Sequence, residues 1–376
     1  MRHIRGSAGR FRDLLPWHEL NRMLCEHRLE YPRIRLTKDG LDQPAKTFMR
    51  QVQTRHGNAV MRIDVQALSK LLRQGALLSI DAVDEIYEPI KAVAENLERT
   101  LGEHIQVNAY ASWLTTRGFA THWDVHDVIV LQIYGRKQWR VFGPTRAYPL
   151  FIDVQENVSP RSRPVWKDIL NSGDVLYIPR GWWHDATPTG EATLHLSFGV
   201  ANRTGIDLME FIIERLRSVA AFRKDLPRFS SRTQQANHVA MLRDELDKTV
   251  AHLTLNEFFH AYDSRATPRA RTSIPFSVTP RDAHAALSDT FLWLPPRKVV
   301  IEKNADGRIS FQAIGRVWTF PSAVHPVFST LIRNRRCSMR TICRALPRFK
   351  KANVDSFLAE LVSQGLVAIV PRPKNK

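Results

Sequence analysis

Hydrophobic and polar positions alternate with a period of two through the middle of the chain. Between Ile105 and Val200, short runs rich in β-branched and aromatic residues are separated by Gly and Pro. These runs are QVNAYASW, DVIVLQIY, KQWRVFG, GDVLYIP and ATLHLSFGV. Several short strands joined by turns favour an antiparallel sandwich or barrel.

On either side of this region the apolar residues follow a helical spacing. The segment after Pro16 predicts a helix with Leu20, Met23 and Leu24 on one face. The stretch IDLMEFIIERLRSVAAF predicts a second helix, and NHVAMLRDELDKTVAHLTLNEFFHAY predicts another helical stretch. A polar segment, Ser230 to Asn237, separates these two, and the apolar stripes on both sides of it predict a homodimer interface.

The last part of the chain changes character again. A Pro- and Arg-rich stretch, ATPRARTSIPFSVTPRD, is typical of a linker or an extended arm. Two strand-like runs, RKVVIEK and ISFQAI, follow, with a turn at Asn304 to Gly307 between them. Helical runs and a final VDSFLAELVSQGLVAIV then predict a small winged-helix-like unit.

Length and composition set the class of protein. A chain of 376 residues with 43% hydrophobic residues predicts two or three packed units. No apolar run reaches membrane-spanning length, and the basic N-terminus lacks the apolar core of a secretory signal. Cys25, Cys337 and Cys343 form neither a disulfide framework nor a zinc-finger spacing, so a cytoplasmic location is expected.

The charge balance indicates an acidic partner. Lys and Arg number 55 against 37 Asp and Glu, a net charge of +18. Such an excess suits nucleic acid, a ribosome or an anionic substrate, although a generally Arg-rich surface gives the same sum. The segment from Arg333 to Lys351, RNRRCSMRTICRALPRFKK, is strongly basic and helix-like, which suits phosphate contacts but also an ordinary solvated face.

A candidate metal site lies in the β-rich region. His122 and Asp124 stand two residues apart at the front of the run DVIVLQIY, so in a strand they face the same side. They supply two thirds of the two-His, one-carboxylate triad that binds non-haem Fe(II). His184, at the end of GDVLYIPRGWWH, is the preferred third ligand. His126 shares the face of His122, and His195 faces the barrel interior, but both are weaker candidates.

A candidate anion site lies on the next strand. In GRKQWRVF, Lys137 falls on the apolar face with Trp139, so it must pair with an anion or extend to solvent. A 2-oxo dicarboxylate would chelate the metal at one end and pair with Lys137 at the other. Asn108, Tyr110 and Ser197 would add neutral hydrogen bonds. A strand-end lysine that simply reaches water is the competing interpretation.

Three segments together resemble a known family. HWDVHDVIVLQIYGRKQWRVF, GDVLYIPRGWWHDATPTG and LHLSFG are similar to the JmjC-type cupins of the ribosomal oxygenase group. The resemblance is strongest from about Asn108 to Val200. It implies an α+β chain with a double-stranded β-helix (jelly-roll, cupin) core. The implied divisions are a catalytic domain over 1–204, a helical dimerisation region and linker over 205–290, and a winged-helix-like domain over 291–376.

The resemblance also implies cofactors and roles. His122, Asp124 and His184 would bind Fe(II), and Lys137 would hold the distal carboxylate of 2-oxoglutarate, with O2 as the second cosubstrate. The remaining cosubstrate-pocket residues that it implies are Asn108, Tyr110, His195 and Ser197. His126 departs from the family pattern, which has an apolar or aromatic residue there.

The implied activity is hydroxylation of a side-chain carbon in a protein or peptide. A His or Arg of a ribosomal protein is the leading substrate, and a ribosomally made peptide is the next. Three alternatives stay open: a non-oxidative metal-binding cupin, a nucleic-acid-binding regulator that uses the C-terminal unit, and a lysine demethylase.

Overall fold

The computed structural model describes residues 1–153, 158, 160, 162–271 and 290–370, which form two compact units, 1–202 and 203–376. This boundary lies close to the expected end of the catalytic domain at residue 204. The expected second boundary, between residues 290 and 291, would fall inside the strand Thr290–Trp293, and residues 203–376 form one compact unit. Most of the Pro- and Arg-rich stretch lies outside the described residues. No helix in the described part of the chain is long and apolar enough to cross a membrane.

The first unit contains thirteen described strands and four described α-helices. The strands are β1 (Arg2–Ile4), β2 (Ile34–Lys38), β3 (Leu41–Asp42), β4 (Met49–Gln53), β5 (Ala59–Ile63), β6 (Leu77–Ile80), β7 (His104–Ser112), β8 (Asp127–Tyr134), β9 (Lys137–Val141), β10 (Trp166–Leu170), β11 (Val175–Ile178), β12 (His184–Pro188) and β13 (Thr193–Ala201). The helices are α1 (Trp17–Glu26), α2 (Val65–Arg73), α3 (Val83–Ile86) and α4 (Glu88–Leu101). All five predicted β-runs are strands, and the helix predicted after Pro16 is α1.

Two antiparallel sheets form the jelly-roll core. The large sheet has the order β1-β11-β8-β13-β7-β6-β2-β3, and the small one has the order β10-β9-β12. Val128 and Val130 of the large sheet share a hydrophobic cluster with Trp139 and Val141 of the small one. These sheets agree with the antiparallel sandwich or barrel that the alternating pattern predicted, and with the jelly-roll core that the resemblance implied.

Strand β13 shows how alternation sets the position of the site. Leu194, Leu196 and Phe198 are buried in a hydrophobic core with residues of α1, α2 and α4. The residues between them project from the opposite face, where His195 and Ser197 line a pocket between the sheets. One strand therefore anchors the helical layer and lines the candidate site.

The second unit begins with three helices. They are α5 (Gly205–Leu216), α6 (Arg232–Val250) and α7 (Leu255–Arg265). Ser231 caps α6 through a capping box with Gln234, so the polar segment Ser230 to Asn237 is mostly the first turns of a helix rather than a separating loop. The second predicted helical stretch is two helices, α6 and α7.

The rest of the second unit has its own aromatic-rich core. Its elements are β14 (Thr290–Trp293), β15 (Glu302–Lys303), β16 (Arg308–Ala313), β17 (Arg316–Pro321), α8 (His325–Asn334), β18 (Arg336–Ser338), α9 (Met339–Ala345), α10 (Lys351–Ser363) and β19 (Val367–Val370). The sheets have the orders β18-β14-β19 and β15-β16-β17. The predicted strand RKVVIEK was wrong in extent, because only Glu302 and Lys303 pair with β16.

Candidate active site

Three ligand-type side chains converge at one end of the pocket. The ligand atoms of His122, Asp124 and His184 all lie within 4.8 Å of one another. Nε2 of His184 is 3.4 Å from Oδ2 of Asp124, and the two imidazole centroids are 4.4 Å apart. Two imidazoles and one carboxylate are the donor set of a non-haem Fe(II) site.

A pair of backbone hydrogen bonds brings the two histidines together. His122 donates to the carbonyl of His184 at 3.1 Å, and His184 donates to the carbonyl of His122 at 2.7 Å. This bridge is isolated, because β8 begins only at Asp127. The expected convergence of His122 and Asp124 is present, but placing both on the front of that strand was wrong.

The second nitrogen of each imidazole fixes its tautomer. Nδ1 of His122 lies 2.9 Å from the carbonyl of Ala120, and Nδ1 of His184 lies 3.0 Å from the carbonyl of Trp182. A carbonyl only accepts, so each Nδ1 donates and each Nε2 keeps its lone pair for a metal. Burial, and secondly the neighbouring His122, lower the pKa of His184, which favours the neutral ligand form.

A buried carboxylate that the sequence patterns did not single out lies beside the three candidate ligands. Asp185 accepts hydrogen bonds from Nε and Nη2 of Arg140 at 2.8 Å each, from Thr121 at 2.8 Å and from Arg117 at 3.3 Å. Thr121 and Asp185 directly adjoin His122 and His184, so this cluster joins the two ligand-bearing segments. Alternation along β9 places Arg140 on the face opposite Lys137, but no local pattern pairs Arg140 with Asp185.

Lys137 is buried in the wall of the pocket that the three candidate ligands also line. Only 3% of the residue is exposed, which excludes the interpretation that it extends to solvent. It forms no ion pair with a carboxylate anywhere in the part of the chain that the structure describes. Burial lowers the pKa of Lys137 to about 7. An anionic ligand in the pocket would supply the missing counter-charge.

The pairing of β13 with β7 places the other four predicted cosubstrate-pocket residues opposite one another in two pairs. Strand β13 lies antiparallel to β7, with His195 opposite Tyr110 and Ser197 opposite Asn108. Tyr110 stacks on His195 with ring centroids 4.9 Å apart and receives a 3.3 Å hydrogen bond from Asn108. Burial raises the pKa of Tyr110, whereas burial and Lys137 lower that of His195. Nδ1 of His195 is buried and has no hydrogen-bond partner among the described residues.

The pocket that joins these groups has a volume of about 220 Å³. It brings together all eight predicted site residues and also His126, which lies outside the group of three ligands. The lining residues that sequence reasoning missed include His104, Gln106, Phe119 and Trp139. Those on strands share the pocket-facing side of their strand with the predicted residues, so the period-two alternation could have predicted them as lining residues. Phe119 lies in the segment before His122, where no such alternation applies.

Comparison with known proteins finds relatives for the part of the chain that contains this site. Residues 84–208 match the JmjC domain family. The chain is 29% identical over 190 residues to the "Bifunctional lysine-specific demethylase and histidyl-hydroxylase NO66" of Brugia malayi, covering 45% of this chain and 26% of that protein. It is 35% identical over 105 residues to "Ribosomal oxygenase 1" of Gallus gallus, covering 27% and 18%.

Structural comparison extends over nearly the whole chain. The ribosomal oxygenase YcfD from Escherichia coli, in complex with cobalt and 2-oxoglutarate, matches with a TM-score of 0.56 and 18% identity. The match covers 94% of this chain and 90% of YcfD. The family match and the curated relatives confirm the resemblance to JmjC cupins of the ribosomal oxygenase group, and the structural match supports the fold. The chain spans only about a quarter of the length of the first curated relatives it matches.

Proposed function

We propose that this protein is an Fe(II)- and 2-oxoglutarate-dependent hydroxylase of a protein or peptide side chain. The carrying observation is the convergence of two imidazoles, one carboxylate and an unpaired buried lysine on one pocket. A metal site without oxidation would need the three ligands, but it would not need Lys137 at the pocket wall.

The donor chemistry fits a non-haem iron. His122, Asp124 and His184 would hold the metal through Nε2, a carboxylate oxygen and Nε2, and the triad leaves coordination positions open. When bound, Fe(II) would supply the coupling of 2-oxoglutarate decarboxylation by O2 to oxidation of a C–H bond. The chain itself binds, orients and excludes water, and Trp139 and Phe119 provide apolar walls for that purpose.

Lys137 would receive the distal carboxylate of 2-oxoglutarate. A protonated lysine with no carboxylate partner is costly in this environment, and the cosubstrate would relieve that cost. Tyr110, Asn108 and Ser197 offer hydroxyl and amide groups along the same wall, and the unpartnered Nδ1 of His195 offers a further hydrogen-bonding position. These four roles are part of the proposal.

The leading substrate is a His or Arg side chain of a ribosomal protein, with a ribosomally made peptide second. The names of the relatives support this choice, and the +18 net charge suits association with an RNA-rich particle. Lysine demethylation is the competing activity, because several relatives carry both activities in their names.

The decisive test is anaerobic. Fe(II) and then 2-oxoglutarate are added to the apo protein while the weak visible charge-transfer band of the chelate is recorded. We expect the band in the wild type and its loss in His184→Ala. Iron binding without the band would favour a non-oxidative cupin. A subsequent gain of one oxygen by a ribosomal protein, measured by mass, would separate hydroxylation from loss of a methyl group.

We also propose a homodimer formed through the helices of the second unit. On α5, Ile206, Met209 and Ile213 are each about half exposed, at a spacing that places them on one face. Phe229, just before α6, is 97% exposed. Such apolar exposure favours a partner. Light scattering after gel filtration tests this, and a monomer at all concentrations would contradict it.

Two further assignments complete the proposal. The order α8, β18, α9, α10, β19 supports a winged-helix-like domain in the second unit. The three cysteines are free, which supports a reducing, cytoplasmic setting. Circular dichroism of the separately expressed segment 291–376 and microscopy of the tagged protein would test these two assignments.

A further inference from the structure

The segment between Asp306 and Asp355 contains no acidic residue. It carries ten Lys and Arg residues, which is more than half of the chain's net charge of +18. Apart from Arg336, six of these side chains are exposed and lie from the last turn of α8 to the first residue of α10. We name them the cationic face: Arg333, Arg340, Arg344, Arg348, Lys350 and Lys351.

Helix α9 forms the centre of this face. It packs against α8 and β18, with Ile342 fully buried beneath it. Arg340 and Arg344 are four residues apart and therefore project from the same side of the helix. The turn that follows, Leu346–Phe349, leads directly to Lys350 and Lys351 at the beginning of α10, so the charges continue without a break.

The cationic face forms no ion pair with any other residue that the structure describes. None of its six side chains bonds to a carboxylate within the residues that the structure describes. Like charges at this spacing repel, so the face lowers the stability of the folded chain. Other cations in the same unit do form ion pairs: Lys248 pairs with Asp244 at 2.7 Å, and Arg217 pairs with Glu214 at 2.9 Å.

An aromatic side chain interrupts the charges. Phe349 is 38% exposed between Arg348 and Lys350, whereas the neighbouring Leu346 is buried. Cations that follow a phosphate backbone, combined with an exposed ring on which a base can stack, are the features of single-stranded nucleic-acid binding. RNA is read mainly at such unpaired bases.

Helix α10 argues against recognition in a DNA major groove. It occupies the position after the turn, but beyond Lys351 it carries the acidic residues Asp355 and Glu360 and no further cation. A helix inserted between two phosphate backbones would bring these carboxylates close to like charges. The cations lie instead on α9 and its turn.

We propose that the cationic face binds RNA, through phosphate contacts from the arginines and lysines and base stacking on Phe349. This interaction is separate from hydroxylation, because it needs neither metal nor cosubstrate. It would give the enzyme a means of holding an RNA-containing substrate particle while the pocket acts on protein.

Fluorescence anisotropy of the full-length protein with a labelled single-stranded RNA of about 20 nucleotides tests the proposal. The test variant is Arg340→Gln/Arg344→Gln/Arg348→Gln. The control removes the same charge from three exposed arginines in the first unit, Arg50→Gln/Arg55→Gln/Arg62→Gln. Melting temperatures establish that both variants fold.

We expect the test variant to lose at least about tenfold in affinity and the control to stay within about twofold of the wild type. The slope of log affinity against log salt should fall by about two in the test variant, since each single-strand contact contributes about 0.7. Phe349→Ala should weaken RNA binding without changing that slope. Equal losses in test and control variants, or no binding by the wild type, would overturn the proposal.

A DNA duplex of equal length is the second arm of the experiment. RNA should bind more tightly than the duplex. Tighter binding to the duplex would overturn the assignment to RNA. The charge-transfer band with Fe(II) and 2-oxoglutarate, measured on the same variants, should be unchanged, so failure of either proposal is visible independently of the other.

Discussion

Arg140 donates two hydrogen bonds to the carboxylate of Asp185, one from Nε and one from Nη2, and each is 2.8 Å long. The carboxylate is almost fully buried, and the guanidinium reaches it from a half-exposed position on β9. Burial by itself would raise the pKa of Asp185, but hydrogen bonds from Arg140 and Thr121 outweigh it and hold the pKa below its usual range. The residue before Asp185 is His184, so this pair fixes the backbone that carries a proposed ligand.

Replacing Asp185 by Asn should therefore weaken the metal site. Loss of charge-assisted hydrogen bonds to a buried group costs about 1–3 kcal/mol of unfolding free energy. The expected loss of Co(II) affinity is about tenfold, in the range seen when groups supporting metal ligands are removed. Calorimetric titration with Co(II) measures the affinity, and urea unfolding measures the stability.

Glu191→Gln is the matched control for that variant. Glu191 accepts a 2.7 Å hydrogen bond from Arg136, which directly precedes β9, and both side chains are well exposed to solvent. Its removal should change stability by less than about 0.5 kcal/mol and leave Co(II) affinity intact. If Asp185→Asn binds Co(II) as tightly as this control does, Asp185 has no positioning role.

The sequence predicted which three side chains converge better than it predicted their local geometry. His122, Asp124 and His184 do converge, and Lys137 does lie on the buried face of β9, because strand alternation decides which side chains point inward. The bridge between His122 and His184 could not be predicted, since it is an isolated contact between a residue outside any strand and the first residue of β12 rather than part of a regular ladder.

Other features depended on tertiary contacts. Asp185, Arg117 and Arg140 are far apart in sequence and pair only after the sheets form, so no local pattern marks them. In the second unit, Ser231 and Gln234 had polar side chains that suggested a loop, yet they close a capping box at the start of α6. Val299 and Val300 had strand-forming side chains but found no pairing partner in the described part of the chain.

Lys137→Met should separate cosubstrate binding from metal binding. Methionine keeps the length and the apolar contacts of the stem but removes the charge that we assign to the distal carboxylate. We expect Co(II) affinity to stay within about twofold and 2-oxoglutarate affinity to fall about tenfold or more, as for a lost charged hydrogen bond. Unchanged 2-oxoglutarate affinity would remove Lys137 from the cosubstrate site.

The pKa of Lys137 gives 2-oxoglutarate binding a characteristic pH dependence. With a pKa of about 7 in the free protein, Lys137 is protonated below pH 7 and neutral above it. The carboxylate requires the protonated form, so binding above pH 7 must take up a proton. Affinity should fall by about tenfold per pH unit above 7 until the pKa of the complex is reached. Titrations of the Lys137→Met variant should lack this slope.

The same pKa predicts how stability changes with pH. The folded-state pKa lies below the usual value of about 10.4, so the unfolded chain binds the proton more tightly. Burying the protonated lysine therefore lowers the stability of the folded state by its full amount below pH 7, and this loss disappears as the pH rises toward 10. In urea unfolding, the free energy of unfolding of Lys137→Met should therefore exceed that of the wild type most at pH 6 and least at pH 9.5. A constant difference would show that Lys137 is not desolvated.

Gly199 leaves room for His126 at the pocket wall. A Cβ built at Gly199 would lie 2.6 Å from Nε2 of His126, so Gly199→Ala must displace that imidazole. Both residues line the pocket, but His126 is outside the ligand group. We expect Gly199→Ala to leave Co(II) and 2-oxoglutarate affinity unchanged and to raise the KM for the protein substrate several-fold.

Two further variants make that prediction specific. Gly143→Ala is the control, because nothing lies within 4 Å of its added Cβ, and it should behave like the wild type. If Gly199 affects the KM only because it leaves space for the imidazole of His126, the double variant His126→Ala/Gly199→Ala should have the same KM as His126→Ala alone. A further rise in KM in the double variant would mean that the added methyl group itself obstructs the substrate, and that His126 is not the residue through which Gly199 acts.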